Sequence, residues 1–139
     1  MVDRPLVAAK IAVVRDALAR VRAVLPATRQ AFAADRTARE VVVLNLFVAI
    51  QACLDLAGHW LADEGWEVPR QYADLFAALA EHDIISPDLS RRLAAAAGLR
   101  NLVAHQYGIL DWERIHAIAS SAELVDLEDF CATIAARVT

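Results

Sequence analysis

The spacing of apolar residues most constrains the fold of this chain, because it repeats every three or four residues, as on one face of an α-helix. In the N-terminal segment the steps run 4-3-4-3-4, at Val7, Ile11, Val14, Leu18, Val21 and Leu25. The same steps recur at Val43, Phe47, Ile50, Leu54, Ala57 and Leu61. Glycine and proline number four each, and no segment alternates with the period of a strand. The sequence therefore predicts an all-α protein.

Proline, glycine and capping residues mark where the helices begin and end. The predicted helices span, in chain order, about residues 4–25, 36–63, 69–82, 87–106 and 111–136. Residues 28–35 are predicted to form a short turn or helix, and residues 120–126 to break or kink the last helix. Gly108 is predicted to stop the fourth helix. We expect one domain over residues 1–139, an up-and-down bundle of four main helices plus a shorter one.

Composition narrows the classes of partner. Hydrophobic residues make up 58% of the chain, above the roughly 45–50% of typical soluble domains, so we expect a face covered by a second copy in a two-fold homodimer. The net charge of −4 leaves no broad basic surface and argues against DNA binding. Of the 14 basic residues only Lys10 is a lysine, and the arginines that remain are suited to binding single phosphates.

The cysteines and the apolar segments indicate the cellular compartment of the protein. Cys53 and Cys131 lie in apolar helical stretches with no Cys or His at zinc spacing, which predicts buried thiols in the reducing cytoplasm. The N-terminus shows no signal-peptide pattern. The apolar run at residues 41–50 is interrupted by Asn45 and is predicted to be too short for a membrane helix. We expect a cytoplasmic protein without a membrane partner.

For several other polar and aromatic residues the sequence gives weaker indications of a role or a location. Asp55, His59 and Asp63 are spaced four apart on the second helix, which could form a metal stripe, although a solvated helix face is the favoured interpretation. We expect no metal site and no cofactor. The remaining expectations place His82 and His116 at the surface, and Trp60, Trp66 and Trp112 in the core or the dimer seam.

The segment GLRNLVAHQY, residues 98–107, concentrates polar groups on a helix that otherwise looks apolar. Arg100 and Tyr107 fall on the apolar stripe of the fourth helix, whereas Asn101 and His105, four apart, share a neighbouring face. A buried arginine needs a carboxylate, a cavity or a ligand, and Asp55 could supply that carboxylate. A purely structural interpretation also stands, in which Arg100 pairs with an acidic residue and His105 and Tyr107 complete the packing.

The longer stretch GLRNLVAHQYGILD resembles the Arg-x4–6-His signature of the HEPN superfamily and, more closely, the Arg-x4-His-x-Tyr motif of HepT-like toxins. The segments ACLDLAGHWL and YADLFAALAEHDIISPDLSRRL precede it in the order of that family. The resemblance implies a helical toxin that acts as a metal-independent ribonuclease. It also implies a homodimer with two motif helices across a shared cleft. The implied antitoxin is a minimal nucleotidyltransferase that adds AMP to the motif tyrosine, here Tyr107.

The residue types in the motif are compatible with metal-free RNA cleavage, in which the 2′-OH attacks the adjacent phosphorus. Histidine exchanges a proton near neutral pH, so His105 can act as general base or acid. Arg100 offers planar donors to phosphoryl oxygens, and Asn101 could orient the imidazole or hold a phosphate. Two other interpretations remain: a non-catalytic HEPN module that binds a nucleotide or a partner protein, and a structural dimer without chemistry.

Overall fold

A computed structural model describes residues 2–138, and all regular secondary structure in that range is helical. The α-helices are α1 Arg4–Val24, α2 Arg29–Ala34, α3 Arg36–Asp63, α4 Leu75–Glu81, α5 Pro87–Gln106, α6 Trp112–Ala119 and α7 Glu123–Arg137. Two short 3₁₀ turns, Tyr72–Asp74 and Tyr107–Ile109, precede α4 and follow α5. The predicted all-α bundle is confirmed.

Helix α3 is the centre of the bundle. It packs along α1 over most of its length and also contacts α4, α5, α6 and α7. The predicted stripes of α1 and α3 are largely buried, and Leu46, Cys53 and Leu56 on other faces of α3 are buried as well. Helix α3 is thus covered on more than one side, as its apolar sequence predicts. Cys53 and Cys131 are both free, buried thiols.

The length of α3, which matches the predicted bounds, bears on whether this segment could cross a membrane. The apolar run at 41–50 belongs to a continuous helix of 28 residues, which by length and composition alone could cross a membrane. Of its most apolar window, 56% is buried inside the protein. The core helix of a soluble protein passes the same test, so this feature is weak evidence for a membrane span. The run alone is too short, as expected, but the helix that contains it is long enough, so the length of the run does not decide the question.

Two helix boundaries differ from the predicted ones. The shorter helix was predicted from residue 69, but α4 begins at Leu75, because Gln71 is extended (φ −96°, ψ 134°) and a 3₁₀ turn follows it. The predicted last helix is divided into α6 and α7 within the stretch where a break was expected. The hydroxyl groups of Ser120 and Ser121 donate to the carbonyl oxygens of His116 and Ile118, which closes the end of α6.

The histidines divide between the surface and the core. His116 was predicted at the surface, but it is buried, with Nε2 2.8 Å from the Pro26 carbonyl oxygen and its ring beside Phe32. That expectation was wrong because α2 packs on α6 and covers the ring. His82 is exposed, as predicted, and stacks on Trp66 with ring centroids 3.8 Å apart.

Trp60 is buried in the core, whereas Trp66 and Trp112 are half-buried at its edge. Trp60 and Trp66 thus agree with the expected core placement. Trp112 packs against Phe32 on one side and Arg39 on another, near the end of the motif helix.

Candidate active site at the end of the motif helix

Helix α5 carries the motif and is fixed at both ends by its sequence. The Ser86 hydroxyl accepts the Leu89 backbone N–H at 3.0 Å, and Pro87 occupies the first helical position, as predicted. The helix ends at Gln106, and the chain continues through a 3₁₀ turn instead of stopping at a left-handed Gly108. Asp111 then caps α6. The motif therefore lies at the C-terminal end of α5, beside the start of α6.

Arg100 is half-buried and held by neutral partners. Its Nε donates to Gln51 Oε1 at 2.8 Å, and one Nη donates to Asn101 Oδ1 at 3.1 Å. The guanidinium lies over the ring of Tyr72, 4.3 Å from the centroid, and near Phe47 at 5.4 Å. Across residues 2–138 no carboxylate forms an ion pair with it. Arg100 thus presents a fixed, uncompensated positive charge suited to an anionic ligand.

A series of hydrogen bonds links Arg100 through Gln51 to Asp55 and Lys10. Gln51 Nε2 donates to Asp55 Oδ1 at 2.9 Å, and the other Asp55 oxygen accepts from Lys10 Nζ at 3.1 Å. The direct Asp55–Arg100 pair considered from the sequence does not form. Gln51 lies one helical turn before Asp55, and its amide fills the space that a carboxylate would otherwise occupy. Asp55 therefore acts on Arg100 through Gln51.

His105 and Asn101 do not form a unit in one protomer. His105 is exposed on the last turn of α5, and no hydrogen bond joins its imidazole to another group among the described residues. Asn101 orients Arg100 rather than the imidazole. Five residues of α-helix place His105 about 140° around the axis from Arg100. The structure thus gathers Arg100 and Asn101 with Gln51, and leaves His105 facing solvent.

Tyr107 lies at the junction of two surface depressions. Its side chain is exposed, and its ring meets Trp112 edge-on at 6.2 Å. On one side an apolar depression of about 430 Å³, here called the α3–α5 groove, is lined by Glu40, Val43, Leu44, Phe47, Val103, Ala104 and Tyr107. On the other side a smaller cavity of about 180 Å³, here called the Tyr107 cavity, is lined by Arg36, Arg39, Glu40, Tyr107, Gly108 and Trp112.

Sequence reasoning missed Gln51 and Tyr72 as partners of Arg100. A signal for Gln51 was present, because Gln51 and Asp55 are spaced i, i+4 in an apolar helix and must share a face. Tyr72 had no comparable signal, since its position depends on the 3₁₀ turn that carries it towards α5.

The residues of α3 that could have formed a metal stripe do not act together as ligands. Asp55 is engaged by Lys10 and Gln51, Asp63 accepts from the Asp3 backbone N–H, and His59 is exposed. Over residues 2–138 no three His, Cys, Asp or Glu side chains are grouped closely enough to hold a metal ion.

Comparisons with known proteins agree with this architecture. The family described as Ribonuclease HepT-like matches residues 14–134. The mRNA nuclease HepT of Shewanella oneidensis is 32% identical over 129 residues, or 92% of this chain and 95% of that protein. A crystal structure of a toxin–antitoxin with AMP-PNP has a TM-score of 0.88 at 29% identity, covering 96% of this chain and 99% of that one.

A second solved structure contains a modified toxin. The tri-AMPylated Shewanella oneidensis HEPN toxin in complex with MNT antitoxin has a TM-score of 0.87 at 30% identity, covering 96% of this chain and 99% of that one. The family match includes the motif helix and spans most of the chain, which confirms the resemblance seen in the sequence. This chain belongs to the ribonuclease HepT-like family.

Proposed function

We propose that this protein is the toxin of a toxin–antitoxin pair, an endoribonuclease that cleaves RNA without a metal ion. The observation that carries the proposal is Arg100, a cation that is fixed by Gln51, has no carboxylate partner in the described chain and lies on the same helix as the exposed His105. A cation held in this way suits the negative charge that develops on phosphorus during RNA cleavage. The name of its Shewanella relative, an mRNA nuclease, agrees with this chemistry.

The reaction follows from the groups present. A general base takes the proton of a ribose 2′-OH as its oxygen attacks the adjacent phosphorus. The bond from phosphorus to the 5′-oxygen breaks, and a general acid protonates that oxygen, which leaves a 2′,3′-cyclic phosphate and a 5′-hydroxyl. His105 exchanges the proton, and Arg100 binds the phosphoryl oxygens. Asn101 supports this by holding the guanidinium at 3.1 Å.

One protomer supplies one motif histidine, whereas the reaction needs both a base and an acid. We infer a two-fold homodimer in which a second copy packs over the Leu44 part of the α3–α5 groove and over Ile109, and leaves the side of Tyr107 that borders the Tyr107 cavity open. Leu44 is 60% exposed and Ile109 76% exposed, and both lie beside the motif. Such exposed apolar side chains are typical of an interface. The dimer brings a second His105 and doubles the positive charge at the site, which helps an acidic protein bind RNA.

Neutralisation by a nucleotidyltransferase antitoxin belongs to the same proposal. The Tyr107 hydroxyl attacks the α-phosphorus of ATP, loses its proton, and displaces pyrophosphate, which leaves AMP on the tyrosine. The exposed position of Tyr107 makes this oxygen accessible. The added phosphate carries a negative charge that repels an RNA backbone. The related toxin in the AMPylated complex bears this kind of modification. We place the pair in the cytoplasm, where Cys53 and Cys131 remain reduced.

One observation favours a second function, a HEPN module that binds a nucleotide or a partner without cleaving RNA. In a single protomer no hydrogen bond joins His105 to Arg100 or Asn101 among the described residues. If the second copy does not bring a histidine to the arginine, the site can hold a phosphate but cannot carry out the proton transfers that RNA cleavage needs.

Cleavage of RNA by the purified protein in EDTA distinguishes these functions. We expect the wild-type protein to cleave RNA, and Arg100→Ala and His105→Ala to lose about 10²–10⁴ in rate, as when an acid–base group is removed. Both variants should also lose growth inhibition. Arg91→Ala on α5 and His59→Ala on α3 remove exposed residues of the same types and serve as controls with wild-type activity. Undiminished cleavage by either motif variant, or no cleavage by the wild type, contradicts the ribonuclease assignment.

A further inference from the structure

The Tyr107 cavity contains an arginine whose donors are unused. Arg39 is half-buried, its guanidinium lies over the Trp112 ring at 5.0 Å, and no ion pair or side-chain hydrogen bond engages it within the described chain. Its Nε atom is buried without a hydrogen-bond partner among those residues. A buried donor left unpaired is costly, so this geometry calls for an acceptor that enters the cavity.

A second arginine borders the same cavity. Arg36 is exposed and its Nε binds Glu40 at 2.9 Å. The hydrogen bond and charge of Glu40 raise the pKa of the Arg36 guanidinium. Arg36 and Tyr107 line the same cavity. An exposed pair spaced i, i+4 is weak, so Arg36 can exchange Glu40 for a stronger acceptor.

We propose that the Tyr107 cavity is a phosphate-binding site for the first AMP attached to Tyr107, with Arg39 as the main ligand and Arg36 as the second. This rests on the proposed modification of Tyr107. A phosphorus bonded to the tyrosine oxygen lies at the cavity wall, and its two free oxygens match the planar fork of an arginine. The volume of about 180 Å³ holds a phosphate group, given about 30 Å³ for one water molecule.

The same ligand chemistry could come from the backbone of an RNA substrate. The attached nucleotide is favoured because its phosphorus is bonded directly to the side chain of Tyr107, a residue that lines the cavity. RNA must instead also reach Arg100, which contacts Gln51, 12 residues of α3 beyond the main ligand Arg39. At 1.5 Å per residue this separation along the helix is roughly 18 Å. The site thus turns the added AMP towards α3 and holds it there, which stabilises the neutralised state.

Removal of AMP by a phosphodiesterase tests the site. The protein is modified by its nucleotidyltransferase and ATP, intact mass records the number of AMP units, and a phosphodiesterase then hydrolyses the tyrosyl–phosphate bond. We expect Arg39→Gln to release AMP about tenfold faster than the wild type, since a charge-assisted hydrogen bond is worth about one factor of ten or more. Arg36→Gln should release it about threefold faster, as expected for the more exposed ligand. Arg20→Gln is the matched control, because Arg20 is also exposed and pairs with an acid four residues away.

Each outcome is informative. Equal release rates in all four proteins, after equal AMP addition, overturn the proposal and leave the modification of Tyr107 intact. Unchanged release combined with about tenfold weaker RNA binding by unmodified Arg39→Gln assigns the cavity to RNA instead. If the wild type gains no AMP, the proposed neutralisation fails and the phosphate site fails with it. If Arg39→Gln loses its fold or accepts no AMP, Arg36→Gln decides the outcome.

Discussion

Replacing Gln51 by methionine tests whether Arg100 depends on its anchor. Methionine has nearly the same length, so the packing of α3 is kept, while the acceptor for Arg100 Nε and the donor to Asp55 are both lost. Gln51 does not touch substrate in the proposed reaction. It is a positioning residue that keeps the guanidinium over Tyr72 and Phe47.

The size of the effect follows from the contacts that are removed. A hydrogen bond to a charged group contributes about 1.5–3 kcal/mol, and the lower end applies because Arg100 is only half-buried. If this bond holds Arg100 in its reactive orientation, its loss lowers kcat about tenfold. The free energy of unfolding should fall by about 1 kcal/mol, or about 4 °C in Tm for a domain of this size.

The assay measures kcat and KM for RNA cleavage together with thermal unfolding. A positioning role predicts a fall in kcat with little change in KM, whereas a loss of packing alone predicts a lower Tm with unchanged kcat. Asn45→Leu is the control, since Asn45 is another half-buried amide of α3, and its side chain donates to the Val41 carbonyl and to no other group within residues 2–138. Wild-type kcat in Gln51→Met, or an equal fall in Asn45→Leu, refutes the positioning role.

Three further outcomes are expected. Leu44→Glu places a charge in the α3–α5 groove and should convert a dimer into a protomer of 15.2 kDa by equilibrium sedimentation, whereas a wild-type monomer contradicts the inferred homodimer. Tyr107→Phe should remove all AMP from the intact mass after co-expression with the antitoxin, and addition at Tyr72 or full neutralisation without modification opposes this mechanism. His116→Ala should lower the free energy of unfolding by about 2 kcal/mol in denaturant titration, because it empties a buried site and frees the Pro26 carbonyl; an unchanged midpoint contradicts the burial.

The helices that follow a simple apolar period were predictable, and the shorter ones less so. The stripe from Val7 to Val21 is buried, because one long amphipathic helix turns one apolar face to the rest of the bundle. The start of α4 was predicted six residues early. The turn between Gly65 and Pro69 predicts a helix directly after it, yet the chain stays extended at Gln71 before the 3₁₀ turn. His116 was placed wrongly because only the tertiary contact between α2 and α6 covers it.

At the site, the identity of the residues was more predictable than their connections. Arg100 was expected to need a partner because a buried guanidinium demands one. The partner is Gln51, a neutral side chain whose sequence signal is weaker than that of a carboxylate. The aromatic support from Tyr72 depends on how a turn docks against α5, which the local sequence does not specify.

The contacts that hold Arg100 also determine when the site can form during synthesis and folding. Lys10 meets Asp55 across 45 residues, and Gln51 meets Arg100 across 49. These two contacts form only when α1, α3 and α5 are docked together. Such non-local contacts form late relative to local helix formation. A chain that contains α5 but has not docked it against α1 and α3 therefore has its motif arginine and histidine without an ordered cation. Activity of the proposed kind would begin only when these three helices are docked, so a partly unfolded chain would be harmless to the cell.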